Sequence, residues 1–183
     1  MKLIDTSLPD VKILEPRVFA DSRGFFLESW NRKTFAALGL DLDFVQDNHS
    51  SSAQGTLRGL HYQTENPQGK LVRVTRGEVF DVAVDMRRDS SSFGRWESMI
   101  LSEDNKRMVW IPPGFAHGFY VISEIAEFQY KCTDYYYPQH ECSLLWNDPQ
   151  LAIPWPLAGG AAPILSDKDR AGLLLADAPG CPD

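Results

Sequence analysis

Long apolar runs are missing from this chain: no stretch approaches the ~18 residues that a membrane span needs, and Met1-Lys2-Leu3-Ile4-Asp5 opens without the apolar core of a secretory leader. Cysteine is scarce. Cys132, Cys142 and Cys181 are odd in number and lack paired C-x-x-C spacing, so neither a disulfide framework nor a zinc site is expected. Three reduced thiols in a cytoplasmic protein is the plain reading. Clustered basic charge is absent too. The net charge of -7 carries no run of one sign, which excludes a nucleic-acid face. A small anion stays possible, because two or three local arginines can reverse the potential inside a cleft. There is no Gly-rich phosphate loop, internal repeat or low-complexity linker.

What is present is ordinary globular material, 43% hydrophobic and 23% charged. The 183 residues make one domain by size, spanning 1–183. Beta signals dominate. Val11 to Phe19 is a broken apolar run, and Arg23 to Trp30 follows a turn at Asp21-Ser22-Arg23-Gly24. Lys70 to Thr75 and Glu78 to Asp85 flank Arg76-Gly77, which reads as a hairpin connection. Further strands are expected at Arg95 to Leu101, Arg107 to Ile111, Gly118 to Ile122, Glu127 to Thr133 and Cys142 to Trp146. One short helix fits Lys33 to Leu38 with Gly39 as its stop, and a second closes the chain around Lys168 to Leu175. Such spacing predicts a mostly β sandwich or barrel, with the jelly roll as one closed form.

Period-two parity then places side chains. Lys70 shares a face with Val72 and Val74, where a barrel interior would hold an aliphatic residue. Phe128, Tyr130 and Cys132 share another apolar face, so Lys70 and Tyr130 both point inward. A buried lysine needs a partner or a task. Phe80, Val82 and Val84 take one face of their strand, and Asp81 and Asp85 the other. Strict alternation in Leu57-Arg58-Gly59-Leu60-His61-Tyr62-Gln63 sets His61 beside Gly59 and Gln63, with Gly59 clearing room for a ligand. His49 is a pocket wall or a loop residue, and His140 is an exposed loop residue.

His117, in Pro112-Pro113-Gly114-Phe115-Ala116-His117, gives a P-x-G-x-x-H pattern typical of cupin barrels. The metal-binding H-x-H pair of many cupins reads here His61-Tyr62-Gln63, which leaves too few imidazoles for a strong transition-metal site. No metal is expected.

Several blocks resemble the dTDP-4-dehydrorhamnose 3,5-epimerase family. They include Arg23-Gly24-Phe25-Phe26-Leu27-Glu28-Ser29, Phe44 to Ser50, Leu57 to His61, Gly69 to Arg73, Gly77 to Asp85, Ile111 to Phe119, Tyr130-Lys131 and Leu165-Ser166-Asp167-Lys168-Asp169. Asn105-Lys106-Arg107 is a further match; the likeness runs over about 3–175 and leaves a tail at 176–183. It implies a cupin-type jelly-roll barrel with short peripheral helices and an isomerase of deoxysugar biosynthesis, in lipopolysaccharide O antigen or another product. The reaction would invert C3 and C5 of dTDP-4-dehydro-6-deoxy-D-glucose without a cofactor, since the ketone itself is the electron sink.

By the same resemblance, His61 is the base, Asp169 orients it, Lys70 faces the C4 oxygen and Tyr130 delivers a proton from the far side. Arg23 and Arg58 match diphosphate contacts, Glu28, Gln46, Asn48 and Lys168 polar contacts, and His117 the sugar end. Tyr136, within Tyr135-Tyr136-Tyr137, resembles the aromatic that stacks on thymine, and Glu141 lies near it. The family implies a homodimer that exchanges N-terminal strands, with Phe19, Arg23, Phe25, Phe26 and Glu28 completing the partner's site. The competing readings are an epimerase of one carbon, a 3,4-ketoisomerase, and a metal-dependent or non-catalytic sugar-binding cupin. Neither nucleic acid nor membrane is an expected partner.

Overall fold

Two antiparallel sheets face one another in the computed structural model, which describes residues 1–181. The strands are β1 (Lys2–Asp5), β2 (Lys12–Glu15), β3 (Val18–Asp21), β4 (Gly24–Leu27), β5 (Gln46–Ala53), β6 (Leu57–Gln63) and β7 (Lys70–Arg76). They continue as β8 (Glu78–Asp85), β9 (Trp96–Ser102), β10 (Met108–Ile111), β11 (Phe115–Val121), β12 (Ile125–Cys132) and β13 (Glu141–Ser143). One sheet runs β1-β2-β10-β7-β12-β5 and the other β13-β6-β11-β8-β9, while β3 and β4 form a separate two-stranded ribbon. This is the expected cupin-type, mostly β fold.

The inward faces supply a shared core. Val72, Val74, Val109 and Phe128 of the first sheet meet Val79, Ala83, Leu101 and Phe119 of the second. Val82, Val84 and Tyr120 on the other face of the second sheet lie under Leu151, Ile153, Trp155 and Leu175, so this sheet is buried on both sides. The outer face of the first sheet is capped by Phe35 of α1 (Arg32–Ala37), packed with Leu14, Leu71, Met108 and Trp110. Asn31 caps α1 through the N–H groups of Lys33 and Thr34, and Gly39 at φ +85° ends the turn much as expected.

Three expectations are corrected. Arg76-Gly77 does not join a hairpin: β7 pairs with β10 and β12, whereas β8 pairs with β9 and β11. Gly77, at φ +76°, carries the chain from one sheet to the other, and a Cβ there would lie 2.0 Å from the Ile125 carbonyl oxygen. The second helix, α2 (Asp167–Arg170), is far shorter than expected. Its continuation is needed in extended form, because Leu173 N–H donates to Ser143 O at 2.9 Å and Leu145 N–H to Leu173 O at 2.7 Å. Strand β5 was not expected at all, since Gln46-Asp47-Asn48-His49-Ser50-Ser51-Ser52-Ala53 has no apolar face; its inward positions meet a polar cavity instead. Among the described residues no helix is long and apolar enough to cross a membrane.

Gly77→Ala should destabilise the protein by at least about 2 kcal/mol, from a strained φ combined with a backbone clash. Urea denaturation measures it, and a loss below about 0.5 kcal/mol would show that the corner relaxes freely.

Candidate active site

A cavity of about 450 Å3 opens between the sheets. His61, His117, Arg58 and Glu141 come from the second sheet, Lys70, Tyr130, Gln46 and Asn48 from the first, and Tyr136, Lys168 and Asp169 from the segments across its mouth. Another hollow, of about 300 Å3, adjoins Asp47, His49, Arg73 and Gln129; it reaches Asn48 and Tyr130 but holds neither His61 nor Lys70. His49 therefore faces away from the chemistry. It lies 3.3 Å from Glu127. His140, in a short 3-10 turn, is half-buried rather than exposed, 3.6 Å from Glu65.

Strict alternation fails in β6. His117 pairs with His61, but Phe119 pairs with Arg58, so β6 spends one extra residue against β11. Arg58 and His61 consequently both reach the cavity, and Gln63 turns away. The Gln63 amide donates to Asn66 O at 2.7 Å and accepts from Tyr137 N–H at 2.8 Å. Gly59 does not make room for a ligand, as alternation implied. A Cβ there would lie 2.5 Å from Gly118 Cα, so glycine serves the close approach of β11.

His61 Nε2 lies 2.7 Å from Asp169 Oδ1. Because an ionised carboxylate only accepts, Nε2 carries the hydrogen and Nδ1 is left for the cavity. Asp169 is at the same time a helix-capping residue. Its Oδ2 accepts from the Ser166 hydroxyl at 2.6 Å and the Ser166 N–H at 3.2 Å, in a reciprocal capping box at the start of α2. The Gly59 N–H donates to Oδ1 at 3.2 Å. Burial pushes the Asp169 pKa up, but the His61, Ser166 and Gly59 donors outweigh it and hold the acid well below the usual carboxylate range.

Lys70 is 9% exposed and forms no ion pair with any described residue. Burial lowers its pKa, and the nearby Cys132, Glu141 and Asp81 oppose that shift. Tyr130 stands opposite Val72 and Asn48 in the neighbouring strands, and burial raises its hydroxyl. Both therefore point inward, as parity implied.

Glu141 organises the mouth. It accepts from Lys168 Nζ at 2.6 Å and from the Tyr136 hydroxyl at 2.7 Å. The second bond pushes Tyr136 up to about 12, while Glu141, despite a burial effect in the opposite direction, is held low by both donors. Of the three consecutive tyrosines, only Tyr136 lines the cavity. Gln68, Ser50 and Asp81 were missed. Asp81 could have been found by parity, since its strand is apolar on the opposite face and carries it inward with Val79 and Ala83. Five expected residues are not brought to this cavity within the chain. Phe19, Arg23, Phe25 and Phe26 sit on the β3–β4 ribbon or its turn, and Glu28 accepts from Asn31 and Thr34. The Arg23 side chain is 88% exposed and paired with Asp21.

An antiparallel barrel with a carboxylate-backed imidazole, an interior lysine and an interior tyrosine around a polar hollow is that of a cupin-type carbohydrate isomerase. The chain belongs to the dTDP-4-dehydrorhamnose 3,5-epimerase family, whose model matches residues 5–177. It is 60% identical over 179 residues to the enzyme of that name from Pseudomonas aeruginosa, covering 97% of this chain and 98% of the relative. It is 58% identical over 172 residues to the one from Escherichia coli, covering 93% and 92%. Among solved structures, a dTDP-6-deoxy-D-glucose-3,5-epimerase from Legionella pneumophila in complex with dTDP-4-keto-L-rhamnose superposes with a TM-score of 0.93 at 55% identity, covering 96% of this chain and 93% of that one. A 3'-monoepimerase from Streptomyces bikiniensis in complex with dTDP-quinovose gives 0.87 at 34% identity, covering 94% and 87%.

The depressed pKa of Asp169 fixes a sign. Its ionised form stabilises the fold at pH values above the unfolded value near ~4, and that contribution fades as pH falls below it. The stability gap between wild type and Asp169→Asn, from urea midpoints, should be widest above about pH 5 and narrow below about pH 4. A gap that does not change with pH would mean the carboxylate charge is not what stabilises this corner.

Proposed function

We propose that this chain inverts C3 and C5 of dTDP-4-dehydro-6-deoxy-D-glucose to give dTDP-4-dehydro-L-rhamnose, within one domain spanning 1–183. The carrying observation is a single cavity holding the His61–Asp169 pair, at 2.7 Å, together with Lys70 and Tyr130 from the facing sheet. Nδ1 of His61 removes a hydrogen next to the C4 ketone, and Asp169 stabilises the imidazolium that forms. Negative charge gathers on the C4 oxygen, where the Lys70 ammonium acts at short range with little water to screen it. The Tyr130 hydroxyl returns a proton to the other face of the carbon. Both inversions use the substrate's own ketone as electron sink, so the chain's residues need supply only proton transfer and charge.

Arg58 suits the diphosphate, Gln46, Asn48 and Lys168 its polar surroundings, and Tyr136 the thymine ring. His117 belongs to the sugar end. Glu141 acts by holding Tyr136 and Lys168 together. The three free thiols, two of them buried, suit a reducing cytoplasm.

His61→Asn should lower kcat by about 10²–10⁴-fold while nucleotide binding changes little, because the base acts in the transition state. In D2O, proton NMR of the substrate with wild-type protein should show deuterium at both C3 and C5. Tyr130→Phe should still exchange label yet give little inverted product. Label at one carbon only would point to the narrower activity of a monoepimerase, and normal turnover by Tyr130→Phe would remove the tyrosine from the acid role.

A homodimer completes this reading. The β3–β4 ribbon exposes Phe19, Phe25 and Phe26 beside Arg23, an apolar tip suited to insertion into a second copy's site rather than to solvent. Mixing Arg23→Ala with His61→Asn should then restore activity, to about a quarter of wild type if half of the dimers are mixed and half of their sites intact. Activity no higher than that of the separate variants would rule out a shared site.

A further inference from the structure

Two imidazoles line the cavity, each backed by a carboxylate, and the carboxylates are not alike: Asp169 also lines the cavity, whereas Asp81 is buried behind His117. His117 stands across from His61 in the β6–β11 register, with Nε2 2.9 Å from Asp81 Oδ2. Asp81 is 0% exposed, and its Oδ1 has no hydrogen-bond partner among the described residues. Asp169, by contrast, shares its charge among His61, the Gly59 N–H and both donors of Ser166. A carboxylate served by several donors is stable as an anion without further protons. One with a single partner and an orphaned oxygen in a dry interior is expensive unless a proton sits on its remaining bond. The His117 ring is held against Phe128, with centroids 5.9 Å apart and planes at 28°. Its Nδ1 makes no hydrogen bond within the described chain and opens to the cavity.

We propose that the Asp81–His117 pair holds one proton more than the Asp169–His61 pair, so that His117 offers Nδ1–H to the substrate's ketone oxygen while His61 offers a bare Nδ1 to the adjacent hydrogens. This rests on the epimerase reading above. The two protons are accounted for simply: one lies on the bridge between Nε2 and Oδ2, and one on Nδ1. Neither has to leave during turnover. As a C–H proton moves to His61, electrons move into the C4 oxygen, where His117 Nδ1–H and Lys70 both donate; reprotonation returns the charge to carbon. His117 is then a catalytic electrophile and Asp81 its positioning residue. Environments that separate two like groups into base and donor follow a general pattern of acid–base sites. The arrangement also explains how the site keeps a donor at the ketone although burial works against the Lys70 charge.

The test uses the full-length protein labelled with 15N-histidine and long-range proton–nitrogen correlation at a pH of about 8, above the ordinary histidine range. Signals are assigned with His117→Gln and His61→Asn. The expected result is a protonated Nδ1 on His117 and an unprotonated Nδ1 on His61. In kinetics, Asp81→Leu should lower kcat at least about tenfold with KM within about threefold, because the lost donor acts on the transition state. A bare His117 Nδ1, or Asp81→Leu with kcat within about twofold of wild type, overturns the proposal. If Asp81→Leu does not fold, the nitrogen spectrum of the wild type decides alone. Absence of deuterium exchange by the wild type would instead sink the epimerase reading, and the spectrum would still report the proton count.

Discussion

The backbones of β6 and β11 touch where Gly59 meets Gly118, and that contact governs which side chains face the substrate cavity. A Cβ on Gly118 would lie 2.6 Å from Arg58 O, just as one on Gly59 would strike Gly118. With both absent, β6 accommodates an extra residue, and Arg58 and His61 turn to the same side. The same strand delivers the Gly59 N–H to Asp169. The bulge thus orients the His61 imidazole, its carboxylate and the Arg58 guanidinium in one local distortion.

Electrostatics in the cavity combines close pairs, such as Lys168 with Glu141 at 2.6 Å, with a lysine that has no such partner among the described residues. Lys70 loses solvation and is supported at a distance by Cys132, Glu141 and Asp81. Glu141 is in turn held by Lys168 and Tyr136 at the mouth. Against burial, Asp169 is held low chiefly by hydrogen bonds from His61, Ser166 and the Gly59 N–H, with the His61 charge adding to them. Such a network leaves Lys70 and the Nδ1 atoms of His61 and His117 without a partner among the described residues and available to a ligand, which suits enolate chemistry better than a closed salt bridge would.

Much of the site was legible because its residues sit on strands whose partners follow alternation. Lys70, Tyr130 and Cys132 are inward for the reason that Val72, Val74 and Phe128 are. Alternation failed wherever a glycine allowed the chain to break its period. It missed the bulge at Gly59, and it read the corner at Gly77 as a hairpin because a two-residue connection looks the same whether the strands pair or change sheets. Strand β5 escaped notice because hydrophobic patterning marks strands that face oil, and Gln46, Asn48 and Ser50 face a polar-lined cavity.

Composition, period and motif by themselves determined that this chain is a β barrel with a lysine and a tyrosine inside it, and their likeness to one family pointed to the reaction. Those properties are local or one-dimensional, so the sequence carries them directly. Only the tertiary structure decided that Asp169 both caps α2 and grips His61, 108 positions away, that Asp81 backs a second imidazole, and that the β3–β4 ribbon stands clear of its own cavity. Each of these depends on which distant backbones approach, and that is settled by how two sheets pack, not by any spacing along the chain.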